Sequence, residues 1–232
     1  MTITLITGAN KGLGLETARR LIAEGHTVYM GSRDPVRGKA AADSIGGRYI
    51  QLDVTSDESV DAAVLEITGL EGRVDVLINN AGIAGDRTKP ADVTAQDLER
   101  VYAINVFGLV RVTRAFLPLL LKSPVPVMVN VASGLGSIGT VTDESKMEFH
   151  STASIAYSSS KSAVTMLAVQ YSKAFPEIRV NVVDPGYTAT DLNGHNGTQT
   201  VTEGTDAIVK LALIGPDGPT GTFSDRSGSI PW

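Results

Sequence analysis

The chain has no cysteine among its 232 residues, only three histidines, and an aromatic content of 5%. Without cysteine it can form no disulfide and no thiolate metal site. The histidines, His26, His150 and His195, lack the spacing of metal ligands, so no metal is expected. Apolar runs are short, and none approaches the roughly 20 residues of a membrane-spanning helix. These shortages argue against a disulfide scaffold, a metalloprotein and a membrane-spanning protein.

An excess of basic residues is lacking as well. The net charge is −5 and the isoelectric point is about 5.2, which argues against a broad basic face for nucleic acid or anionic membrane. The first residues, MTITLITGAN, have neither the basic region nor the cleavage site of a signal peptide. We therefore expect a cytoplasmic protein that binds a small molecule and has no nucleic-acid or membrane partner.

The chain does contain a regular alternation of short β-branched runs and longer segments of helical period. The runs are apolar at almost every position, which is typical of strands buried on both faces of a parallel sheet. The predicted strands are 3–7, 27–31, 48–52, 74–79, 126–131, 179–183 and 221–224, and the predicted helices are 13–24, 36–45, 56–69, 94–121, 154–175 and 202–214. With right-handed crossovers, this order predicts an α/β fold: a single-domain, Rossmann-type, doubly wound parallel sheet of about seven strands with helices on both faces. No linker or repeat divides residues 1–232.

A glycine-rich stretch follows the first predicted strand. In TGANKGLGLETA, Gly8, Gly12 and Gly14 have a G-x-x-x-G-x-G spacing just before the first predicted helix. Glycine allows a sharp turn and lets a pyrophosphate approach the backbone and the first N–H groups of the helix. The position of the stretch between strand and helix predicts a dinucleotide site.

The end of the second predicted strand indicates which dinucleotide binds. An NAD site usually has an acidic residue there for the ribose 2′-hydroxyl, whereas this strand ends in Gly31, Ser32 and Arg33. Arg33 can pair with a 2′-phosphate, and Lys11 in the glycine loop adds a second cation. Asp34 is expected to cap the following helix. NADP(H) is therefore the predicted cofactor.

The segment ASIAYSSSKSAV, residues 153–164, has Tyr157 four residues before Lys161. In a helix these two side chains lie one turn apart on the same face, so the phenol and the ammonium would point into the same space. Chance also produces such pairs, and the pair alone decides nothing.

Several motifs in order resemble the signature of the short-chain dehydrogenase/reductase family. They are TGANKGLG, the NNAG run at 79–82, Asn105, Ser133, and Tyr157 with Lys161. The resemblance covers essentially the whole chain. Within the family, GANKGLG, SRDPVRG and the TEGTDAIVKLAL helix are similar to the carbonyl-reductase branch.

The resemblance implies which residues hold the cofactor. Asp53 matches a residue that contacts the adenine, and Pro185-Gly186, with Thr188 and Thr190, matches the motif that holds the nicotinamide amide. The predicted cofactor residues are Gly8, Asn10, Lys11, Gly12, Leu13, Gly14, Ser32, Arg33, Asp53, Val54, Asn80, Ala81, Gly82, Tyr157, Lys161, Pro185, Gly186, Thr188 and Thr190.

The resemblance also implies the catalytic residues Asn105, Ser133, Tyr157 and Lys161. Tyr157 would give a proton to a carbonyl oxygen as hydride arrives. Since a free phenol has a pKa of about 10, the charges of Lys161 and the oxidised nicotinamide would bring it towards neutrality. Ser133 would donate a hydrogen bond to the substrate oxygen. Asn105 would support a water that relays protons to Lys161, or would act as a helix-kink residue that bonds only backbone.

The separation of Ser133 and Tyr157 is larger than in most of the family. The extra residues lie in 136–154, a mostly polar segment that includes the bulky apolar residues Met147 and Phe149. We expect this insertion to form one wall of the substrate pocket, with a solvent loop as the alternative. The polar segment after Gly186 suits a lid.

The predicted function is NADPH-dependent reduction of a small aldehyde or ketone, reversible as an alcohol dehydrogenase. A 3-oxoacyl-(acyl-carrier-protein) reductase is one alternative, with Arg100, Arg111 and Arg114 as a docking patch. A non-catalytic module that senses NADP is another, although such proteins typically lose the Tyr or the Lys.

Assembly is predicted from the same resemblance. Many relatives dimerise through the helices that correspond to 94–121 and 154–175, and apolar residues of the first fit such a pairing: Val106, Leu109, Val110, Val112 and Phe116. We expect a homo-oligomer, a dimer or tetramer, with a monomer as the alternative.

Overall fold

The computed structural model describes residues 1–86 and 88–232, and a seven-stranded parallel sheet runs through the described part. The strand order is β3-β2-β1-β4-β5-β6-β7, which confirms the predicted doubly wound sheet. The strands are β1 Ile3–Thr7, β2 Thr27–Ser32, β3 Arg48–Gln51, β4 Val76–Asn79, β5 Val127–Val131, β6 Arg179–Val183 and β7 Phe223–Ser224. Because the order reverses between β1 and β4, their carboxyl ends open a crevice where doubly wound folds bind ligands.

Helices cover both faces of the sheet, and each face has its own apolar core. The α-helices of the described part are α1 Gly12–Ala23, α2 Pro35–Ile45, α3 Asp57–Leu70, α4 Ala95–Tyr102, α5 Leu109–Leu120, α6 Ile138–Val141, α7 Ile155–Ala174, α8 Val201–Gly204 and α9 Asp206–Ala212. One core contains residues of α3, α5 and α7, and the other contains residues of α1, α2 and α9.

The single helix predicted over 94–121 is interrupted by a π-helical turn at Ala103–Gly108, between α4 and α5. Asn105 lies in this turn, at the position where the sequence predicted an interruption. The helix predicted over 202–214 is likewise divided into α8 and α9. Thr205, at the division, is fully buried and its hydroxyl accepts a hydrogen bond from Arg20 over 2.8 Å.

The whole helical stretch Ala95–Leu120 has the length and hydropathy of a membrane span, but half of its apolar window is buried inside the fold. Core helices meet the same test. The burial shows that this stretch contributes to the core, so its composition alone carries no membrane assignment.

The apolar residues proposed as a dimer face point inward instead. Val106, Leu109, Val112 and Phe116 are each at most 7% exposed, and Val110 is partly buried against the same core. That part of the assembly argument is wrong, because a 3.6-residue period does not tell a core face from an interface. The oligomeric state itself stays a prediction.

Candidate active site

Three positions of the glycine loop between β1 and α1 do not accommodate a side chain without strain or a clash. Gly8 and Gly12 have φ values of +65° and +54°, a backbone conformation that favours glycine. A Cβ placed on Gly14 would lie 2.6 Å from the Gly8 carbonyl oxygen and 2.6 Å from Asn80 Nδ2. Glycine is therefore required at these positions by geometry, as the predicted phosphate loop requires.

The NNAG run connects the end of β4 to the end of β1. Asn80 Nδ2 donates to Thr7 O over 2.8 Å and to Gly8 O over 3.1 Å. The Thr7 hydroxyl accepts hydrogen bonds from the backbone N–H groups of Asn80 and Ala81, each over 3.0 Å. These four bonds fix the glycine loop against the floor of the crevice.

A cleft of about 670 Å³ extends across this edge of the sheet, within the range of roughly 300–1,000 Å³ that is usual for ligand and cofactor sites. Seventeen predicted cofactor residues line it: Gly8, Asn10, Lys11, Gly12, Leu13, Gly14, Ser32, Arg33, Asp53, Val54, Asn80, Ala81, Gly82, Tyr157, Lys161, Pro185 and Thr190. Because the glycine loop exposes its backbone to this cleft, the cleft fits a dinucleotide.

Two predicted cofactor residues do not line this cleft. The buried Thr188 donates its hydroxyl hydrogen to Pro185 O over 2.9 Å. Gly186 has a φ of +70°, and a Cβ there would lie 2.5 Å from Gln199 Oε1. Both residues lie behind Pro185 and shape the loop. Arg37, which the sequence offers as a third candidate cation for a 2′-phosphate, also lines the cleft. Sequence reasoning missed the other lining residues, mostly neighbours of the motif residues: Asp34, Leu52, Ile83, Ala84, Gly85, Asp86, Ile104, Val131, Ala132, Asp191 and Leu192.

The cations at the end of β2 differ in their partners. Asp34 caps α2, as predicted, by accepting from Val36 N over 3.0 Å and Arg37 N over 3.1 Å. Arg37 Nε is 3.1 Å from Asp34 Oδ2. The exposed Arg33 has no ion pair within residues 1–86 and 88–232, which leaves its guanidinium available to an anion in the cleft.

Lys11 has a partner that the sequence did not indicate. Its Nζ lies 2.6 Å from Asp191 Oδ2, and Asp191 Oδ1 lies 2.8 Å from His195 Nε2. The hydrogen bonds to Lys11 and His195 hold the pKa of the Asp191 carboxyl below its usual range. Lys11 is thus shared between the cleft and the segment that follows the Pro-Gly motif.

Tyr157 and Lys161 lie one turn apart on α7, as the spacing predicted. Lys161 Nζ is 5.7 Å from the centre of the Tyr157 ring and donates to Val131 O over 2.8 Å. Ser133 follows β5, and its Oγ accepts from Leu135 N over 3.2 Å. Ser133 hydrogen-bonds the Tyr157 hydroxyl, so the fold brings it to the end of the cleft that Tyr157 and Lys161 line.

Burial dominates the protonation of this group. It raises the pKa of Tyr157 to about 12, against a hydrogen bond from Ser133 that lowers it. It lowers the pKa of Lys161 to about 8, against the attraction of Asp184. The protein alone thus keeps the phenol protonated, which differs from the expectation that Lys161 shifts its pKa towards neutrality. Desolvation outweighs the neighbouring charge here.

The Asn105 side chain is occupied by the protein. Its Oδ1 accepts from Ile83 N over 2.9 Å, while its Nδ2 donates to Ile83 O and to Ser160 Oγ, each over 3.0 Å. Beside it, Lys161 and Asn79 line a cavity of about 10 Å³, and the buried Asn79 Oδ1 has no hydrogen-bond partner in the described part of the chain. That volume and these polar groups suit one water molecule. The kink interpretation and the relay interpretation are therefore compatible.

Small residues on α7 serve contacts within the chain. A Cβ on Gly136 would lie 2.6 Å from the carbonyl carbon of Lys161, and Ser162 Oγ donates to Gly136 O over 2.7 Å. The loop after Ser133 thus packs directly on the helix that carries Tyr157.

The insertion at 136–154 contributes no residue to the main cleft. Met147 and Phe149 are exposed, so they do not form the expected apolar wall. The Glu148 side chain does approach the Ser133 loop, because a Cβ on Gly134 would lie 2.8 Å from its Oε1. The insertion reaches the neighbourhood of Ser133 through a carboxylate.

The segment after Gly186 is a series of turns. Asp191–Asn193 forms a 3-10 turn that ends at Gly194 in the left-handed conformation. Asn193 Nδ2 donates to Thr188 O over 2.8 Å. The segment lies along the cleft through Thr190, Asp191 and Leu192, where a lid would have to lie.

Comparisons with known proteins agree with this geometry. The family model described as short chain dehydrogenase matches residues 2–200. The chain is 30% identical to a (+)-neomenthol dehydrogenase of Capsicum annuum, with 96% of this chain and 95% of that protein aligned. The crystal structure of salutaridine reductase from Papaver somniferum superposes with a TM-score of 0.84 at 26% identity, covering 96% of this chain and 99% of that one. The crystal structure of a short chain dehydrogenase of Shigella flexneri complexed with NADP superposes with a TM-score of 0.83 at 26% identity, covering 97% of each chain.

Proposed function

Because the chain belongs to the short-chain dehydrogenase family of oxidoreductases, we propose that it is an NADPH-dependent reductase of small aldehydes and ketones that runs in reverse as an alcohol dehydrogenase. The observation that carries this proposal is the meeting of Ser133, Tyr157 and Lys161 at one end of a dinucleotide cleft. A nicotinamide cofactor bound in this cleft supplies or accepts hydride.

The proton chemistry belongs to Tyr157. Since burial raises its pKa to about 12, the phenol is protonated near neutral pH and can give its proton to a carbonyl oxygen. Ser133, half-buried beside it, hydrogen-bonds the same oxygen and fixes its position. Lys161 stabilises the phenolate that remains and takes part in the return of a proton. The cavity beside Asn105 and Lys161 supports a water at the start of that return path.

The preference for NADPH rests on the end of β2. The strand ends without a carboxylate, Asp34 is engaged in capping α2, and Arg33 is exposed at the edge of the cleft. A guanidinium there can form two parallel hydrogen bonds to a 2′-phosphate. Membership of the family supports a nicotinamide cofactor, and we propose NADPH rather than NADH.

The alternative of a carrier-protein substrate loses much of its docking patch. Arg100 is paired with Asp86 and Asp97, and Arg111 with Asp57. Arginines already neutralised by near neighbours attract an acidic carrier protein weakly. A cofactor sensor without turnover is disfavoured because the chain keeps the groups that turnover needs.

The test is NADPH oxidation measured across aldehydes, monocyclic ketones, quinones, diketones and 3-oxoacyl thioesters, repeated with NADH. We expect turnover of small ketones or aldehydes and a preference for NADPH. Selective turnover of the thioesters would favour the carrier-protein alternative. Tight NADPH binding with no turnover of any class would contradict the reductase proposal.

Cytoplasmic location and homo-oligomerisation stay predictions from the sequence. Phe107 on the π-helical turn and Met166 on α7 are 55% and 59% exposed, so they are among the apolar side chains on these helices that a dimer contact could cover. Light scattering at micromolar concentration tests this, and a mass near the 24.3 kDa of one chain would show a monomer.

A further inference from the structure

Asp184 is a buried carboxyl group at the active site that the proposed chemistry does not use. It follows β6 directly and is only 6% exposed. Its neighbour Val183 pairs with Val131 of β5, so the loops that leave these two strands begin side by side. One loop carries Ser133 and the other carries Pro185 and Gly186.

The two oxygens of Asp184 contact different loops. Oδ1 accepts a hydrogen bond from Gly186 N over 2.9 Å. Oδ2 faces the other loop, because a Cβ placed on Gly134 would lie 2.9 Å from it, and the Gly134 N–H also acts on the carboxyl as a hydrogen-bond donor. A single side chain thus joins the backbone after Ser133 to the backbone of the Pro-Gly motif.

We propose that Asp184 is a positioning residue that sets the spacing between the Ser133 loop, which holds the carbonyl oxygen, and the Pro185-Gly186 loop at the cofactor. This inference rests on the proposed reductase function. It assigns a role to a residue that touches neither substrate nor cofactor, since Asp184 does not line the cleft. Hydride and proton must reach neighbouring atoms of one carbonyl, so a small change in this spacing lowers the rate.

The negative charge of Asp184 affects the pH dependence of the reaction, which can be measured separately from the rate. Burial raises the pKa of Asp184, and the carboxylates of Glu148 and Asp225 add to the rise, while the Gly186 and Gly134 N–H groups oppose it. Asp184 in turn acts to raise the pKa of both Tyr157 and Lys161. Removing its charge should therefore lower both pKa values. Because reduction needs a protonated phenol and a charged Lys161, the alkaline fall in activity should begin at lower pH.

The test compares Asp184→Asn with Asp75→Asn, a control at the opposite edge of the sheet. Asp75 is 5% exposed and accepts from Ile3 N over 2.8 Å, so its burial and its bond to a backbone N–H resemble those of Asp184, although Arg73 and Ser123 also bond it. For Asp184→Asn we expect kcat to fall about tenfold or more, as for the loss of a hydrogen bond to a charged group, and the alkaline limb of kcat/KM to move to lower pH. Asp75→Asn should lower the melting temperature and leave kcat and the limb unchanged.

A second variant separates the effect of loop position from the effect of the Asp184 charge. It also tests the inference if Asp184→Asn does not fold. Gly134→Ala keeps the carboxylate but places a methyl group 2.9 Å from Asp184 Oδ2 and 2.8 Å from Glu148 Oε1, so the Ser133 loop and the buried Asp184 carboxylate must move apart. We expect a lower kcat with the alkaline limb in place. An unchanged kcat in Gly134→Ala, or changes in Asp184→Asn that match those of Asp75→Asn, would overturn the inference.

The binding of NADPH, followed by its fluorescence, distinguishes failure of this inference from failure of the proposed function. If the wild-type protein reduces no carbonyl, the proposed function fails. Weaker NADPH binding in Asp184→Asn than in Asp75→Asn would still show that Asp184 holds the Pro-Gly loop, and equal binding would show that it does not.

Discussion

The glycine loop at 8–14 and the inserted segment at 136–154 are held by different kinds of contact. In the loop, backbone and neighbouring side chains approach so closely that a Cβ on Gly14 would lie 2.6 Å from a carbonyl oxygen. The start of the insertion is also tightly packed at Gly136, but in residues 143–154 the hydrogen bonds are local, such as those from the Ser145 N–H and hydroxyl to Asp143. Packing geometry therefore restricts which residues can occupy the glycine loop, and restricts residues 143–154 much less. The glycine loop can therefore be recognised from the sequence alone, whereas the conformation of residues 143–154 cannot.

Replacement of Tyr157, the proposed proton donor, tests the shared chemistry of the cleft and has the largest expected effect. Tyr157→Phe removes the phenol hydroxyl and keeps the ring, so kcat should fall at least about 100-fold, as for general acids elsewhere. NADPH affinity should change little. Tyr171→Phe, on the same helix and half-buried, is the control and should keep wild-type turnover. Full turnover in Tyr157→Phe would remove the residue from its proposed role.

Replacement of Arg33 tests the nucleotide end of the cleft. Arg33→Ala should weaken NADPH binding about 10- to 100-fold, since a charge-assisted pair contributes roughly 1.5–3 kcal/mol. NADH binding should change little, because it has no 2′-phosphate. Arg37→Ala is the matched control, since Arg37 is already paired with Asp34 and should matter less. Equal losses for the two cofactors in Arg33→Ala would mean that Arg33 is structural.

The pH profile tests whether burial controls the catalytic pair. With the pKa of Lys161 at about 8, kcat/KM for reduction should be level below pH 8 and then fall by about tenfold per pH unit as one proton is lost. The same profile is expected for Lys173→Met, which changes an exposed lysine near the end of α7. A profile that stays level to pH 10 would show that Lys161 keeps its charge despite burial.

The smallest effect concerns the pair that joins the glycine loop to the segment after Gly186. Asp191→Asn frees Lys11 for the cofactor phosphates. Because ion pairs between solvent-exposed side chains contribute little, NADPH binding should tighten only slightly, by up to about fivefold. His195→Ala leaves the Lys11 pair intact and should change binding less. Weaker binding in Asp191→Asn would show instead that the pair holds this segment over the cleft.

The sequence predicted the sheet and the glycine loop because each depends on local patterns. Runs such as Ile3–Thr7, in which every residue is apolar or β-branched, are typical of strands buried on both faces. The Lys11–Asp191 pair and the position of Asp184 could not be predicted, since each joins loops whose conformations no local pattern determines. The prediction that Phe116 lies at a dimer interface was wrong for a related reason. The helical period shows that a face is apolar but not what covers it.

Product analysis with NADPH deuterated at both C4 positions tests the central claim most directly. If the chain transfers hydride from this cofactor to a carbonyl carbon, the alcohol formed from a turned-over ketone carries one deuterium on its carbinol carbon. An alcohol without deuterium, or NADPH oxidised with no alcohol formed, would contradict the account.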